Sequence, residues 1–250
     1  MRTLLTGLKM RMTDNGILHQ YIGKELDLFA EAINWKLYIS AKIIPLLGHD
    51  VMEVGAGIGS NTIALCSVNQ TRWLCIEPDA TLLTRLTNKL NSHPALSMVE
   101  TRLGTIDHIH DNEFFDTILY IDVLEHIKND KLELERAGKF LRHGGRLIVI
   151  SPAYQWLYCP FDHALGHFRR YSKRTLSALT PPSLTLENIH YIDSAGLIAS
   201  MGNFLFLRKA LPTAGQISFW DKFLVSISVR LDTVLRYKFG KTIIAFWKKD

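Results

Sequence analysis

Three short stretches of this chain hold residue types and spacings that do chemistry. The first, residues 51–62, reads VMEVGAGIGSNT, with Gly55, Gly57 and Gly59 at alternate positions behind an apolar run and an acid, Glu53. Glycines so placed let backbone approach a ligand closely, because no Cβ stands in the way. A turn of this kind leaving a strand suits a nucleotide cofactor. The dinucleotide spacing G-x-G-x-x-G is not met, since its third glycine would fall at Ser60. Glu77 closes a second apolar run about twenty residues on, where a carboxylate can accept both hydroxyls of a ribose. The second stretch is DVLEH, whose Asp122, Glu125 and His126 have the spacing of one helical face. The third crowds Asp162, His163, His167, Arg169, Arg170 and Tyr171 together. There a histidine suits general base work. Arg169 and Arg170 offer forked hydrogen bonds to a carboxylate or phosphate. The competing reading of this stretch is a loop pinned by internal ion pairs such as Asp162 with Arg169.

The elements that must position these residues follow a β-α-β-α rhythm. Apolar residues at helical spacing between Lys24 and Leu47 predict one or two helices ahead of the first strand. Strands are predicted at VMEVG, RWLCIE, SMVETRL, FDTILYID and RLIVISPA, with helices at SNTIALCSV, ATLLTRLTNKLNSH and DKLELERAGKFLR, the last stopped by Gly144 and Gly145. Beyond residue 152 comes an aromatic, polar loop with short helical pieces. A helix at KRTLSAL, a strand at LENIHYIDSAG and a last strand at KTIIAFWKK follow it. This rhythm predicts a doubly wound, Rossmann-like parallel sheet, with ligands at the carboxyl ends of its strands.

Composition bounds the rest. With 250 residues and 47% apolar content the chain can bury a full core. The expected organisation is a single domain: an N-terminal helical cap over 1–47, a cofactor-binding core over 48–153 and a substrate side over 154–250. Three widely spaced cysteines fit reduced thiols in the cytoplasm. The N-terminal MRTLLTGLKMRMTDNG reads as a mobile or docking segment and not as a signal peptide. A net charge of +5 favours an anionic substrate or surface and is too small to argue for nucleic acid.

The stretch Glu53-Val54-Gly55-Ala56-Gly57-Ile58-Gly59 resembles the first motif of class I S-adenosylmethionine-dependent methyltransferases. LGTID at 103–107, FDTILYIDVLEHI and LRHGGRLIVISPA resemble that family's later motifs in order, over roughly residues 35–153. GKELDLFAEAINWKLYISAKI, GHFRRYS and FGKTIIAFWKK resemble a bacterial subgroup associated with glycan or secondary-metabolite pathways. The resemblance implies a seven-stranded sheet and S-adenosyl-L-methionine as cofactor, with methyl transfer to oxygen or nitrogen of a small-molecule acceptor. It implies a cofactor set of Glu53, Gly55, Ala56, Gly57, Gly59, Asn61, Glu77, Pro78, Thr105, Ile106 and Asp122. A side chain at Gly55 or Gly57 would then fill cofactor space. The expected acceptor set is Tyr154, Asp162, His167, Arg169, Arg170 and Tyr171, with His167, His126 and Asp122 as candidates for moving the acceptor's proton. Some methyltransferases hold a divalent cation on E-x-x-E-H. With an aspartate at its first position, DVLEH is expected to line the pocket without a metal. A related sulfonium-nucleotide transferase and a non-catalytic cofactor-binding partner stay open as alternatives.

The last feature is an apolar insertion over 197–238. Phe219, Phe223, Ile227, Leu231, Val234 and Leu235 form a helical stripe there, with Asp221, Lys222, Arg230, Asp232 and Arg236 largely elsewhere. The expected role is a lid or the contact of a homodimer. The alternative is an interfacial helix that reaches a lipid-linked acceptor.

Overall fold

The computed structural model describes residues 12–13, 16–17, 25–202 and 213–250. The N-terminal docking segment lies almost wholly outside the described residues, as does the start of the insertion over 203–212. A two-residue ladder pairs Met12–Thr13 with Gly16–Ile17. The main sheet has seven strands: β1 (Asp50–Val54), β2 (Arg72–Glu77), β3 (Val99–Leu103), β4 (Phe115–Ile121), β5 (Leu141–Pro152), β6 (Leu184–Ile192) and β7 (Thr242–Lys249). Their spatial order is β3-β2-β1-β4-β5-β7-β6, parallel except for β7, which runs antiparallel to both its neighbours.

Strand residues alternate between two cores. Met52, Leu74, Ile118, Val149 and Trp247 face one side, and Val51, Trp73, Leu119, Ile148 and Phe246 the other. Both faces are buried, which explains the nearly unbroken apolar run of β4. The helices on the described chain are α1 (Glu25–Ala30), α2 (Ile33–Ile43), α3 (Ser60–Leu65), α4 (Ala80–Asn91), α5 (Asp130–Lys139), α6 (Pro160–Leu165), α7 (Lys173–Ser177), α8 (Ser194–Gly202), α9 (Ala214–Phe219) and α10 (Ser226–Val234). A π-helical turn over Trp220–Val225 joins α9 to α10. Helix α4 starts where the Asp79 carboxylate accepts from the backbone N–H groups of Thr81 and Leu82.

Three sequence expectations change here. The sheet is mixed and not parallel throughout, because β7 runs antiparallel to β5 and β6. Helix α5 ends at Lys139, and Gly144 and Gly145 lie inside β5, where Gly144 takes a positive φ of 79°. The insertion's apolar stripe does not pack inward. Phe219, Phe223, Ile227 and Val234 are exposed, while Ile217, Asp221, Val225, Ser228 and Asp232 are buried. The polar members of that inner face are anchors. Asp221 accepts from the backbone N–H groups of Asn34 and Trp35 at 3.2 and 2.8 Å, capping α2 from a distant helix. Asp232 accepts from Tyr38 Oη at 2.6 Å and from the N–H groups of Asp193 and Ser194 at 2.7 and 2.9 Å.

Glu53, in the middle of this parallel sheet, is buried, and its Oε2 accepts from Thr62 Oγ1 at 2.7 Å and Trp73 Nε1 at 3.1 Å. Burial raises its carboxyl to about 7. A carboxyl with a folded-state pKa above its unfolded value binds its proton more tightly in the folded chain. Its contribution is therefore complete below about pH 4 and is lost as pH rises towards about 7, on the order of 3 kcal/mol in all. Glu53→Gln keeps an acceptor for Thr62 and Trp73. It is expected to flatten the pH dependence of urea-unfolding stability across that window, and an unchanged slope in the variant would show that another group titrates there.

Candidate active site

The strand order reverses between β1 and β4, because β1 leads to β2 on one side and β4 lies on the other. The crevice beyond their carboxyl ends is where a doubly wound sheet binds ligands. The glycine turn leaves β1 at that point. Gly55 donates to Ile76 O at 2.8 Å and has a φ of 67°, and a Cβ there would come within 2.6 Å of Val123 Cγ2. The missing side chain makes room for Val123. Gly57 takes a φ of 56°. A Cβ there would meet only Leu26 of α1, at 3.7 Å, among the described residues. Gly59 takes the N-cap position of α3 at φ 75°, Ala56 is buried, and Asn61 lies half-buried in the first turn of α3.

Glu77 ends β2 beside this turn. Its Oε2 accepts from Gly57 N–H at 2.8 Å and its Oε1 from Asp79 N–H at 3.0 Å. Each oxygen keeps a second lone-pair site. Burial raises this carboxyl, and the two backbone N–H bonds oppose the rise. Pro78 follows, half-buried. Thr105 is half-buried and caps the short turn Ile106–His108, while the Ile106 side chain belongs to the core. Glu53, a candidate for this site, is turned into the sheet with Thr62 and Trp73.

At the end of β4, Asp122 adopts φ 55° and is exposed by surface area. Burial raises its carboxyl to about 6, and His167 and Lys241 pull it back down. The expected helical face is not formed. Only Leu124–His126 make a single 3-10 turn, with Asp122 outside it. Glu125 is fully buried; its Oε2 accepts from Ser151 Oγ at 2.9 Å, and its Oε1 has no hydrogen-bond partner. Burial, and then the charge of Asp122, push the Glu125 carboxyl well above the usual range, favouring its protonated form.

The GHFRRYS loop docks on this turn through Phe168 N–H to Glu125 O at 2.8 Å. The rings of His126 and His167 meet edge-on with centroids 4.5 Å apart. Asp162 is fully buried; its Oδ1 lies 2.9 Å from His167 Nδ1, and both its oxygens accept from Arg170, at 2.8 and 2.9 Å. Burial works against this charge, but the bonds from His167 and Arg170 hold the carboxyl well below the usual range. A carboxylate at Nδ1 assigns a proton to that nitrogen, so Nε2 is the ring atom left to exchange one with a ligand.

Arg170 is answered by Asp162 and Arg169 by Asp130, so the pairing with Asp162 falls to Arg170 and not to Arg169. Tyr171 is buried, donating to Asp130 Oδ2 at 2.8 Å. Asp162 and Tyr171 hold the loop in shape. Tyr154 stays half-buried, stacked on Tyr191 with centroids 4.7 Å apart. Two residues outside the sequence-derived set join the site. Ser151, near the end of β5, orients Glu125, and Lys241, just before β7, acts electrostatically on Asp122 and Asp162. Lys241 stands in the KTIIAFWKK run, where nothing in its spacing marks it.

Residues 52–147 match a family model described as a methyltransferase domain. A curated relative, the mitochondrial ubiquinone biosynthesis O-methyltransferase of Dictyostelium discoideum, is 24% identical over 115 residues. The match covers 42% of this chain and 36% of the relative, so the chain spans about a third of that protein's length. Similar solved structures include coclaurine N-methyltransferase bound to N-methylheliamine and SAH, at TM-score 0.60 and 15% identity, covering 87% of this chain and 72% of that one. A S-adenosylmethionine-dependent methyltransferase from Clostridium acetobutylicum gives 0.58 and 15%, covering 90% and 95%. The cyclase SpnF gives 0.60 and 13%, covering 91% and 94%. The fold is the Rossmann-like class I methyltransferase fold. Within it, residues 52–147 are the part that resembles a methyltransferase domain.

Glu125, His126 and His167 each offer a ligand-capable atom, all within 4.8 Å of one another. With the expected pocket-lining role, EDTA-treated protein titrated with Mg²⁺, Mn²⁺ or Zn²⁺ in a calorimeter should give no stoichiometric heat. One-to-one binding that is lost in Glu125→Gln and in His167→Ala would make the cluster a metal centre instead.

Proposed function

We propose that this protein transfers a methyl group from S-adenosyl-L-methionine to a hydroxyl or amine of a small-molecule acceptor, in a glycan or secondary-metabolite pathway. The observation that carries the reading is the pairing of an open glycine turn with a locked carboxylate. Gly57 leaves space where any Cβ would intrude, and Glu77 is fixed beside it by the Gly57 N–H itself. The residues fit the cofactor. Gly57 leaves room for its sugar and methionine part, Glu77 has lone pairs left for two ribose hydroxyls, and Asp122 offers a negative charge in the crevice. When bound, the cofactor supplies a methyl on a positively charged sulfur, ready for in-line displacement. The protein's share is alignment and proton handling. His167, held by Asp162 through Nδ1, takes the acceptor's proton at Nε2, and His126 packs against its ring. The anionic acceptor expected from the arginines loses its support, because both guanidiniums are answered inside the protein.

Calorimetry is expected to show binding of S-adenosylmethionine and S-adenosylhomocysteine without comparable binding of NAD. The reverse order of affinity would sink the proposal. Gly57→Val should abolish cofactor binding in a folded protein. Glu77→Ala should weaken it by roughly 1–3 kcal/mol, the scale for hydrogen bonds to a charged group.

His167→Ala is expected to lower turnover by about 10²–10⁴-fold, the usual contribution of general acid–base catalysis. Cofactor affinity should stay within a few-fold of wild type. Labelled methyl transfer into a metabolite pool, read by mass spectrometry, supplies the assay. Loss of cofactor binding in His167→Ala would move this histidine from the acceptor to the cofactor.

A further inference from the structure

The helical stretch from Ala214 to Val234 is amphipathic in the inverted sense. Its inner face carries Asp221, Ser228 and Asp232, all buried and hydrogen-bonded. Its outer face carries Phe219, Phe223 and Val234, exposed to 55%, 59% and 77%, with Ile227 between them. The Phe219 and Phe223 rings lie 5.3 Å apart, forming one aromatic knob. Elements packed against this stretch extend the pattern: α8 exposes Ile198 and Met201, and α2 exposes Ile33 and Leu37. Apolar residues scattered singly over a surface are ordinary, but a clustered set marks a contact.

The charges are sorted as well. Between 213 and 238 both acids, Asp221 and Asp232, are buried. The basic residues Lys222, Arg230, Arg236 and Lys238 are all exposed. Arg230 falls on the outer face, among the apolar residues. The outer face thus combines aromatic and aliphatic side chains with positive charge only. A second copy across a two-fold axis would set these cations against their own kind and would leave them unanswered. An anionic bilayer answers both features, with acyl boundary for the apolar groups and headgroups for the bases. No described helix is long and apolar enough to cross a membrane, so this contact would be peripheral.

We propose that the outer face of the 214–238 segment docks the protein on an anionic lipid surface. The inference rests on this face alone, and its test does not depend on the methyltransferase reading. Intact protein is sedimented with vesicles of equal parts phosphatidylglycerol and phosphatidylcholine, and with pure phosphatidylcholine vesicles as control. Binding is expected on the anionic vesicles only, weakening as salt is raised. Phe223→Ser should reduce partitioning by roughly ten-fold or more. Arg230→Gln should reduce it by roughly five-fold, the share of one basic residue at such a surface. Both side chains are exposed, so circular dichroism should show an unchanged fold. Failure to bind anionic vesicles at low salt would overturn the proposal. So would a concentration-dependent dimer, abolished by Phe223→Ser, that ignores vesicles; in that case a second copy covers the face.

Discussion

The arrangement of this site hangs on one buried carboxylate, Asp162. With no exposed surface, it must be fully answered or be forced to take up a proton. The chain answers it with a forked pair from Arg170, a contact at His167 Nδ1 and the backbone N–H of Cys159. Each partner fixes one more piece. Arg170 and Tyr171 bring the loop back to β5, where Tyr171 N–H donates to Pro152 O and Tyr154 N–H to Tyr171 O. His167 is left with one orientation, edge-on to His126. The residues that look in sequence like an anion clamp are the means by which a polar loop is held against the carboxyl edge of the sheet.

Burying acids as anchors recurs on the far side of the molecule. Asp193, following β6, accepts from Ser228 Oγ, Trp220 Nε1 and Gly196 N–H. Asp221 and Asp232 tie the same helical stretch to α2. These bonds fix how the helix is rotated about its axis, and they fix it with the aromatic side outward. An apolar stripe normally decides which side of a helix faces in. Here hydrogen bonds to buried carboxylates decide it, since leaving one such group unanswered costs more than exposing a phenylalanine.

That competition also explains what could be read from the sequence. Strand positions and the parallel part of the sheet were legible, because β1, β2 and β4 are buried on both faces and show it as unbroken apolar runs; the antiparallel direction of β7 was not, since an apolar run carries no direction. The glycine turn and Glu77 were legible because only backbone geometry and one carboxylate are involved. The insertion's orientation was not legible, because periodicity gives a stripe but not the hydrogen bonds that override it. The inward turn of Glu53 escaped for a similar reason: its partners come from two other elements, Thr62 from α3 and Trp73 from the paired strand β2. The pairing of the loop's arginines was lost because Asp130 lies far from Arg169 in sequence. The stop assigned to Gly144 and Gly145 failed because the chain takes its left-handed residue inside an irregular edge of β5.

The electrostatics of the crevice limit what it can hold. Asp122 and Glu125 lie close enough that each affects the other's proton, and two adjacent carboxylates in a crowded crevice do not ionise together readily. Their surroundings decide which one keeps the proton. Glu125 has no surface and only Ser151 among side chains to answer it, which favours its protonated form. Asp122 faces His167 and Lys241, which pull its carboxyl back towards the charged form. The Asp122 carboxylate is thus favoured at the end of β4, with Glu77 at the end of β2, while Arg169 and Arg170 turn their charges to Asp130 and Asp162. A cationic ligand group gains from that field and an anionic one does not. On the proposed reading the cation is the sulfonium cofactor, and the same field selects a neutral acceptor whose proton His167 can take.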